Sequence, residues 1–339
     1  MDYKIVLSDI DGTVITTDHR VLPRTAAAIR QIAEKGIPFA LVSARMPEAI
    51  YPIIEEIGVR SAVISYNGAL VITPDGTEIH DERMTRAHVE AVLHRISGAY
   101  PQAPMSYYAG HTWYVRDRAD PEVRREEEIT TVTSVEADFD ALIADDILPN
   151  KLFVMGKPEL IACMERELAA AFPDLSVMRS LPHLLEIIER TVSKATGIER
   201  LLAHYGIDCT EALAFGDNYN DIEMLRYVGH SVAMGNVPDE IKDIADSVTE
   251  ANDADGVIFL NDLFGGSPYN AACRLAANNE KYGIVTGVNL PMLIEMVSAQ
   301  LIGGEYNILA LVEQAAEAGK NGTQIFHASI MEADEDDDL

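Results

Sequence analysis

Short apolar runs that alternate with segments of helical period predict the fold of most of this chain. The runs lie at residues 5–7, 37–42, 61–65, 212–216 and 229–233. Between the first two runs, the segment Arg24–Glu34 has helical spacing, with Pro23 before it and Gly36 after it. Strands that alternate with helices are typical of a parallel sheet covered by helices. We therefore expect an α/β fold with a Rossmann-like parallel sheet at its core.

The sequence pattern changes between residues 82 and 185. Met105–Val115 is aromatic and polar, Asn150–Met155 is strand-like, and Pro158–Ala171 has helical period. We interpret 82–185 as an inserted α+β domain, which we call the cap. The core then consists of residues 1–81 and 186–256.

After residue 256 a second, shorter α/β pattern begins. Strand-like runs at 257–260 and 283–286 are separated by a helical stretch that reaches 278, and further helices are expected near 291–302 and 307–318. A partial α/β segment of this size (257–331) has a marginal core and an exposed sheet edge, so we expect it to dock on the core or to pair with another copy. The acidic residues 332–339 predict a solvated tail.

Composition narrows the classes of function. The chain has 339 residues, 48% of them hydrophobic, and a formal net charge of −29, which opposes binding to nucleic acid and to anionic membranes. We find neither a run of about 20 apolar residues nor the basic and apolar blocks of a signal peptide, so we expect no membrane insertion and a cytoplasmic location. The three widely spaced cysteines predict neither a disulfide framework nor a metal site.

Two carboxylates, Asp9 and Asp11, follow the first apolar run. Strand side chains alternate between faces, so we expect Asp9 and Asp11 to point the same way, and Gly12 allows a sharp turn beside them. Neighbouring carboxylates repel each other unless a cation or a shared proton compensates, which favours a divalent metal. An acidic strand-to-loop turn without any chemistry is the alternative.

Three distant segments add polar groups at positions that follow strands or begin helices. Ser43 ends the second strand, where it would hold a phosphate oxygen or cap a helix. Lys194 stands at a helix entry, and Asp217 and Asp221 follow the strand at 212–216. Ligands of open α/β sheets lie beyond the carboxyl ends of strands, and oxygen ligands of this kind suit Mg²⁺.

Taken in order, these segments resemble the four motifs of the haloacid dehalogenase superfamily. The motifs are Asp9-Ile10-Asp11-Gly12-Thr13, Ser43, Lys194, and Gly216-Asp217 with Asn220-Asp221. The large insert, with Ser65-Tyr66-Asn67-Gly68-Ala69 ahead of it, is similar to that of the Cof-type sugar-phosphate phosphatases. The likeness covers residues 1 to about 256. It implies a Mg²⁺-dependent phosphatase that acts on small phosphorylated metabolites such as sugar phosphates.

The resemblance also implies a role for each motif carboxylate. Asp9 would attack phosphorus and become an aspartyl phosphate. Asp11 would protonate the leaving oxygen and then deprotonate the hydrolytic water. Mg²⁺ would be held by the Asp9 carboxylate, the Asp11 backbone carbonyl and Asp217, with Asp221 assisting directly or through water.

Substrate contacts are implied for four other polar residues. Ser43 and Lys194 would bind the phosphoryl group. Asn67 and Asn220 would contact substrate, although a turn residue before Gly68 is an equal interpretation of Asn67. The cap side chains Tyr107, Tyr108, His111 and Trp113 would line the substrate cavity or, as we favour for most of them, pack within the cap's own sheet.

The C-terminal segment resembles a different family. Residues 259–272 and 285–293 are similar to the C-terminal half of mannose-type enzyme IIA of the sugar phosphotransferase system. Proteins of that family carry phosphate on a histidine in an N-terminal strand, for which we find no equivalent, and His327 lies outside the matching pattern. Asp262 and Ser267 match positions near that family's active site and are interpreted as structural remnants. The alternative function is therefore an interaction module that recruits sugar-uptake components.

Overall fold

The computed structural model describes residues 3–249, 251–252, 257–261, 264–265, 267–276, 282–294, 296 and 308–321. The strands, in chain order, are β1 (Ile5–Ser8), β2 (Phe39–Val42), β3 (Ala62–Ser65), β4 (Leu70–Ile72), β5 (Glu78–Asp81), β6 (Met105–Ala109), β7 (Thr112–Val115), β8 (Val135–Glu136), β9 (Lys151–Met155), β10 (Leu175–Leu181), β11 (Leu184–Glu189), β12 (Ala212–Gly216), β13 (His230–Ala233), β14 (Ser247–Val248), β15 (Val257–Asn261) and β16 (Tyr282–Thr286). The helices are α1 (Pro23–Glu34), α2 (Pro47–Ile57), α3 (Arg86–Ala99), α4 (Pro121–Thr130), α5 (Phe139–Ala144), α6 (Pro158–Ala171), α7 (Lys194–Tyr205), α8 (Ile222–Tyr227), α9 (Asp239–Lys242), α10 (Ser267–Ala276) and α11 (Ile308–Asn321). The chain divides into two compact units, Met1–Asn252 and Asp253–Leu339.

The core of the first unit is a parallel sheet extended by an antiparallel edge. Its strand order is β14-β13-β12-β1-β2-β3-β4-β5, and the pairs from β14 to β3 are parallel. All four residues of β1 are buried, as expected for a central strand covered on both faces, which therefore reads as a continuous apolar run. The predicted Rossmann-like core is confirmed.

The cap is a second sheet with the order β10-β11-β9-β6-β7-β8, in which every pair is antiparallel except β7–β8. One face packs against α3, α5 and α6 through an apolar cluster that includes Tyr107, Leu152 and Ile187. The opposite face joins the apolar cluster of the core through residues such as Tyr108 and Phe153. The cap sheet is therefore covered on both sides.

One predicted domain boundary is wrong. The boundary between residues 185 and 186 falls inside β11, which pairs with β9 and β10 and continues the cap sheet to Glu189. Leu185 and Ile187 face one side of this strand while Glu186 and Ile188 face the other, so the strand has no polar break at the expected position. Glu186 consequently belongs to the cap and not to the core.

The second unit has two parallel strands, β15 and β16, paired from Val257↔Tyr282 to Asn261↔Thr286. Its small described apolar cluster contains Val285, Met292 and Ala315. The strands and helices expected here are confirmed where the structure describes them, including helical residues at 290–294 and 296. Asp262, His327 and the acidic residues 332–339 lie outside the described residues. Within the described part of the chain, no helix combines the length and apolar character that a membrane crossing requires.

Candidate active site

The motif residues converge at one edge of the core sheet. Asp9 follows β1, Ser43 follows β2, and Asp217 follows β12. These three strands are adjacent and parallel, so their carboxyl ends meet at the same edge. Lys194 is the first residue of α7, and its position is fixed by a capping box between Ser193 and Thr196.

A buried lysine joins two of the carboxylates. Lys194 Nζ lies 2.5 Å from Asp9 Oδ1 and 2.5 Å from Asp221 Oδ1, and all three residues are buried. Burial alone would lower the pKa of Lys194, but the charges of Asp221 and Asp9 raise it above its usual range. Burial raises the pKa of Asp9 well above its usual value; Lys194 opposes this shift, and Asp221 and Asp217 add to it.

Asp217 lies against the turn that follows Asp9. The Thr13 hydroxyl donates a hydrogen bond to Asp217 Oδ1 at 3.0 Å. Gly12 has φ +87°, and a Cβ atom at this position would lie 2.1 Å from Asp217 Oδ2. The close approach therefore requires glycine. Burial, reinforced by the charge of Asp221, raises the pKa of Asp217 to about 6.

The donor set fits a divalent cation. Oxygen atoms of Asp9, Asp217 and Asp221 all lie within 4.8 Å of one another. These three carboxylates have one positive charge beside them, that of Lys194. This charge does not offset the effect of burial, which raises the pKa of both Asp9 and Asp217. A cation of charge +2 would relieve this repulsion, and an all-oxygen set is the type that Mg²⁺ prefers.

Asp221 is already engaged by the protein. Its Oδ1 accepts a hydrogen bond from Lys194, and its Oδ2 accepts from the backbone N–H groups of Asp217 and Asn218, both at 2.9 Å. These bonds orient the loop that presents Asp217. Gly216 makes room for them, because a Cβ atom there would lie 2.7 Å from Asp221 Cβ.

Asp11 has a different environment from Asp9. Arg45 donates two hydrogen bonds to it, from Nε to Oδ2 at 2.8 Å and from Nη2 to Oδ1 at 2.6 Å. The Asp11 side chain is 48% exposed, whereas Asp9 is buried. The strand argument for a common direction of Asp9 and Asp11 is wrong, because β1 ends at Ser8 and both residues lie in the turn after it.

Ser43 is buried and holds two turns together. Its hydroxyl oxygen accepts a hydrogen bond from the Arg45 N–H at 3.2 Å, and its carbonyl accepts from the Asn67 N–H at 2.9 Å. The helix-cap interpretation of Ser43 is wrong, since α2 begins at Pro47 and its cap residue is Met46.

Asn67 combines a turn conformation with contacts on both sides of the site. Its φ of 56° is left-handed, as the turn interpretation implies. Its amide nitrogen donates to Glu186 Oε2 at 3.2 Å, and its Oδ1 accepts from Asn220 Nδ2 at 3.2 Å. Asn67 therefore links the cap to the loop that carries Asp217.

The cap contributes two buried charges that sequence reasoning missed. Lys151 Nζ donates to the Ala44 carbonyl at 2.7 Å and lies 3.6 Å from Glu186 Oε2. Three aromatic rings surround this nitrogen: Tyr66, Tyr108 and Phe153, with centroids at 5.8, 5.2 and 5.1 Å. The sequence signal for these two residues was weak: each is a single charged residue in an otherwise apolar strand, Lys151 in β9 and Glu186 in β11.

The four cap side chains that would line the substrate cavity or pack within the cap have two different environments. Tyr107, Tyr108 and Trp113 are buried in apolar clusters, as the packing interpretation predicted, but only Tyr107 packs within the cap, whereas Tyr108 and Trp113 pack in the cluster shared with the core. His111 instead lies between two core carboxylates, with Nδ1 2.6 Å from Glu48 Oε1 and Nε2 3.0 Å from Glu78 Oε1. Burial alone would lower the pKa of His111, but these two carboxylates together raise it above its usual value.

The fold and the clustered carboxylates define a class of hydrolase, and comparison with known proteins agrees. Residues 6–260 match the family model of haloacid dehalogenase-like hydrolases, so the chain belongs to this family. A Haemophilus influenzae protein provisionally named a phosphatase is 32% identical over 260 residues, which is 77% of this chain and 97% of that protein. Phosphatase YwpJ of Bacillus subtilis is 29% identical over 286 residues, covering 76% and 98% of the two chains. The protein is therefore a phosphatase-type hydrolase.

A solved structure supports the same fold. A haloacid dehalogenase-like hydrolase from Bacteroides thetaiotaomicron superposes with a TM-score of 0.67 at 27% identity, over 75% of this chain and 96% of that one. Residues 215–315 also match the family model of the PTS system fructose IIA component, EIIA-man. The two matched segments overlap at residues 215–260, and both resemblances seen in the sequence are confirmed.

Proposed function

We propose that this protein is a Mg²⁺-dependent phosphatase that hydrolyses small phosphorylated metabolites, such as sugar phosphates, through an aspartyl phosphate on Asp9. The observation that carries the proposal is the buried Asp9 carboxylate, held 2.5 Å from Lys194 at the end of the central strand and close to Asp217. Relatives named as phosphatases support the reaction class.

Mg²⁺ is the cation that we expect at the carboxylate cluster. Asp9, Asp217 and the backbone carbonyl of Asp11 would hold it, with Asp221 acting directly or through water. When bound, it would offset repulsion between the anionic nucleophile and the anionic phosphoryl group.

The residues divide the reaction into two displacements. In the first, an Asp9 oxygen forms a bond to phosphorus while the bond from phosphorus to the leaving oxygen breaks, and Asp11, which enters this step as the protonated acid, gives that oxygen its proton. In the second, Asp11 takes a proton from water, whose oxygen attacks phosphorus and breaks the bond to Asp9. Phosphate leaves and Asp9 is restored.

Three other groups act on charge and position. The Ser43 hydroxyl donates a hydrogen bond to a phosphoryl oxygen. Lys194 stabilises the negative charge that Asp9 and the phosphoryl group share. Arg45 orients the Asp11 carboxyl group through two hydrogen bonds to its oxygen atoms. The cap sheet lies over these groups and restricts the site to small substrates.

Phosphate release tests the proposal. The wild-type protein should release phosphate from a panel of sugar phosphates in Mg²⁺, and EDTA should abolish the release. Asp9→Asn should lose at least about 10³-fold in kcat, as expected when a nucleophile is removed. Asp239→Asn is the matched control, since that side chain is 94% exposed and should retain full activity. Release that persists in Asp9→Asn would contradict the proposal.

A second candidate function rests on the C-terminal match. We propose that the C-terminal segment (257–331) recruits components of a sugar phosphotransferase system, because most of it lies within the match to a family of that system. Light scattering of the full chain, alone and with purified mannose-type components, tests this. A complex with those components would support recruitment, whereas a homodimer or a monomer that ignores them would contradict it.

A further inference from the structure

The cap covers the catalytic groups of the core. Asp9, Ser43 and Lys194 are at most 5% exposed, and cap residues such as Tyr108 and Phe153 pack in the same apolar cluster as core residues. A phosphate ester is larger than a water molecule and cannot reach Asp9 while this packing holds. Substrate entry therefore requires the cap to open, and the contacts that cross from cap to core determine how readily it opens.

A histidine in the turn between β6 and β7 connects the cap to two carboxylates of the core. His111 Nδ1 lies 2.6 Å from Glu48 Oε1, on α2, and its Nε2 lies 3.0 Å from Glu78 Oε1, on β5. The ring also stacks on Tyr51 of α2, with ring centroids 6.5 Å apart and an interplanar angle of 13°. We call His111, Glu48 and Glu78 together the latch.

Both hydrogen bonds of the latch require a charged histidine. An ionised carboxylate only accepts hydrogen bonds, and a neutral imidazole ring has a single N–H group. Two N–H donors are present only in the imidazolium ion, so the neutral ring can bond to one of the two carboxylates but not to both. Loss of one proton therefore removes a hydrogen bond and the positive charge of the ring together.

The other ionisable groups around this turn keep their charge near neutral pH. Tyr51 and Tyr66 lie on the core side of the turn, and burial, reinforced by the charge of a latch carboxylate, raises the pKa of both phenols, so they stay neutral up to pH 9. Arg83 lies beside the glycine that precedes His111 and forms an ion pair with Asp81. Among these groups, the histidine is therefore the one that titrates between pH 6 and pH 9.

The direction of the pH effect follows from the partners of this histidine. Burial alone would lower the pKa of His111, but Glu48 and Glu78 raise it above its usual value. A histidine whose pKa is raised in the closed state stabilises that state fully below its open-state pKa, and the stabilisation is lost as the pH rises through the closed-state value. The closed cap should therefore be favoured more at pH 6 than at pH 9.

Uncharged hydrogen bonds hold the backbone of the same turn. The Gly110 carbonyl accepts from the Tyr66 hydroxyl of the core at 2.7 Å, and the Gly110 N–H donates to Asn150 Oδ1 of the cap at 2.8 Å. These bonds place His111 beside its partners but do not depend on its charge. At this turn, the pH-dependent part of the attachment is therefore the latch.

We propose that the latch is a pH-sensitive device that holds the cap closed over the active site. When His111 is protonated, its ion pairs with Glu48 and Glu78 keep the cap on the core. When the ring is neutral, one of these contacts breaks and the cap opens more often. The proposal rests on the phosphatase function only for the identity of the ligand that enters.

Hydrogen exchange at Trp113 measures how often the cap opens. Its ring is 1% exposed and lies in the cluster that cap and core share. Its Nε1–H group has no hydrogen-bond partner among the described residues, so burial is what protects it from exchange. The chain has one tryptophan, which gives a single indole signal in an NMR spectrum. The experiment uses neither substrate nor Mg²⁺, so its failure would leave the phosphatase function standing.

The indole exchange rate of His111→Gln is compared with that of the wild-type protein at pH 6 and at pH 9. At pH 6 the variant should exchange about 3- to 10-fold faster, the effect of losing two partly exposed ion pairs. At pH 9 the ratio of the two rates should fall toward one, because the wild-type ring is then neutral. Taking the ratio at each pH cancels the intrinsic pH dependence of exchange.

Two further variants complete the comparison. Glu78→Gln keeps the histidine and its stacking on Tyr51, so it tests the charge interaction even if His111→Gln folds poorly; it should give a smaller increase with the same pH dependence. His230→Gln is the control, because His230 lies 3.9 Å from the Asp246 carboxylate within the core and does not connect the core to the cap. Its ratio should be close to one at both pH values.

The urea dependence of exchange separates cap opening from unfolding. The wild-type indole should exchange faster, and with a weaker dependence on urea, than the backbone amides of β1, measured by mass spectrometry on the same samples. Equal rates and equal urea dependence would mean that Trp113 is exposed only by unfolding, and would overturn the proposal. An increase in His111→Gln that is the same at both pH values, or no larger than that in His230→Gln, would overturn it as well.

Discussion

Replacing Lys194 with methionine should strongly destabilise the first unit. Lys194 Nζ touches Asp9 and Asp221 at 2.5 Å each. Methionine keeps a similar volume but removes the one positive charge that, among the described residues, directly contacts both carboxylates. Lys194→Met therefore leaves two buried carboxylates without their partner and creates little cavity.

The size of the effect follows from burial. The side chains of Lys194, Asp9 and Asp221 are 0%, 8% and 0% exposed. Removing one partner of a buried ion pair costs about 3–5 kcal/mol. The free energy of unfolding of a domain is about 5–15 kcal/mol, so this cost is a large part of the total stability.

The loss should depend on pH in a known direction. In the wild-type protein, burial and neighbouring carboxylates raise the folded-state pKa of Asp9 above its usual 3.8, and the charge of Lys194 opposes this shift. Without Lys194 that opposition is lost, so the pKa of Asp9 rises further. A raised carboxyl pKa contributes stability below the unfolded value and loses it as the pH rises through the folded value. The deficit of Lys194→Met should therefore be larger at pH 8 than at pH 5.

Urea denaturation in EDTA, followed by tryptophan fluorescence, measures this deficit. The chain has one tryptophan, Trp113, which is buried in the apolar cluster shared by cap and core and so reports on this unit. Lys4→Met is the control, because the Lys4–Glu211 pair is largely exposed and should matter little. A Lys194→Met midpoint equal to that of the control, or a deficit that does not change with pH, would refute the reasoning.

The remaining predictions concern the metal cluster and the contact between cap and core. Gly12→Ala should raise the Mg²⁺ concentration needed for half-maximal phosphate release at least about 10-fold, because the new Cβ would lie 2.1 Å from Asp217 Oδ2. Gly76→Ala is the control, since Gly76 has the same φ of +87° with nothing within 4 Å; an equal effect of both changes on Mg²⁺ dependence would contradict the crowding argument. His111→Gln should lower the thermal midpoint more at pH 6 than at pH 9, because carboxylates on α2 and β5 raise the pKa of His111, and that stabilisation is lost as the pH rises through the folded value. If the change in thermal midpoint were independent of pH, the ion pairs of His111 with Glu48 and Glu78 would not be the cause of the change.

Elements with strong local signals were predictable from sequence. Helix α6 runs from Pro158 to Ala171 as expected, because proline suits the first turn and the apolar positions recur with helical period. The predicted domain boundary after residue 185 falls inside strand β11. The sequence of this strand, buried apolar residues around Glu186, does not distinguish a strand of the cap from a strand of the core.

The candidate site divides in the same way. Asp9, Lys194 and Asp217 could be placed together because motif order and strand ends specify a common edge of a parallel sheet. The contacts of Lys151 and Glu186 could not be predicted, since they depend on how the cap lies over the core. The pairing of Arg45 with Asp11 likewise follows from the turn after β1, which a strand pattern does not describe.

Trapping the covalent intermediate tests the central claim most directly. The wild-type protein is quenched in acid during turnover of a sugar phosphate in Mg²⁺, and its peptides are analysed by mass spectrometry. We predict a phosphate adduct on the peptide containing Asp9 that hydroxylamine discharges and that Asp9→Asn lacks. Steady release of phosphate with the adduct on a different residue, or with no adduct at any quench time, would contradict the assignment of Asp9 as the nucleophile.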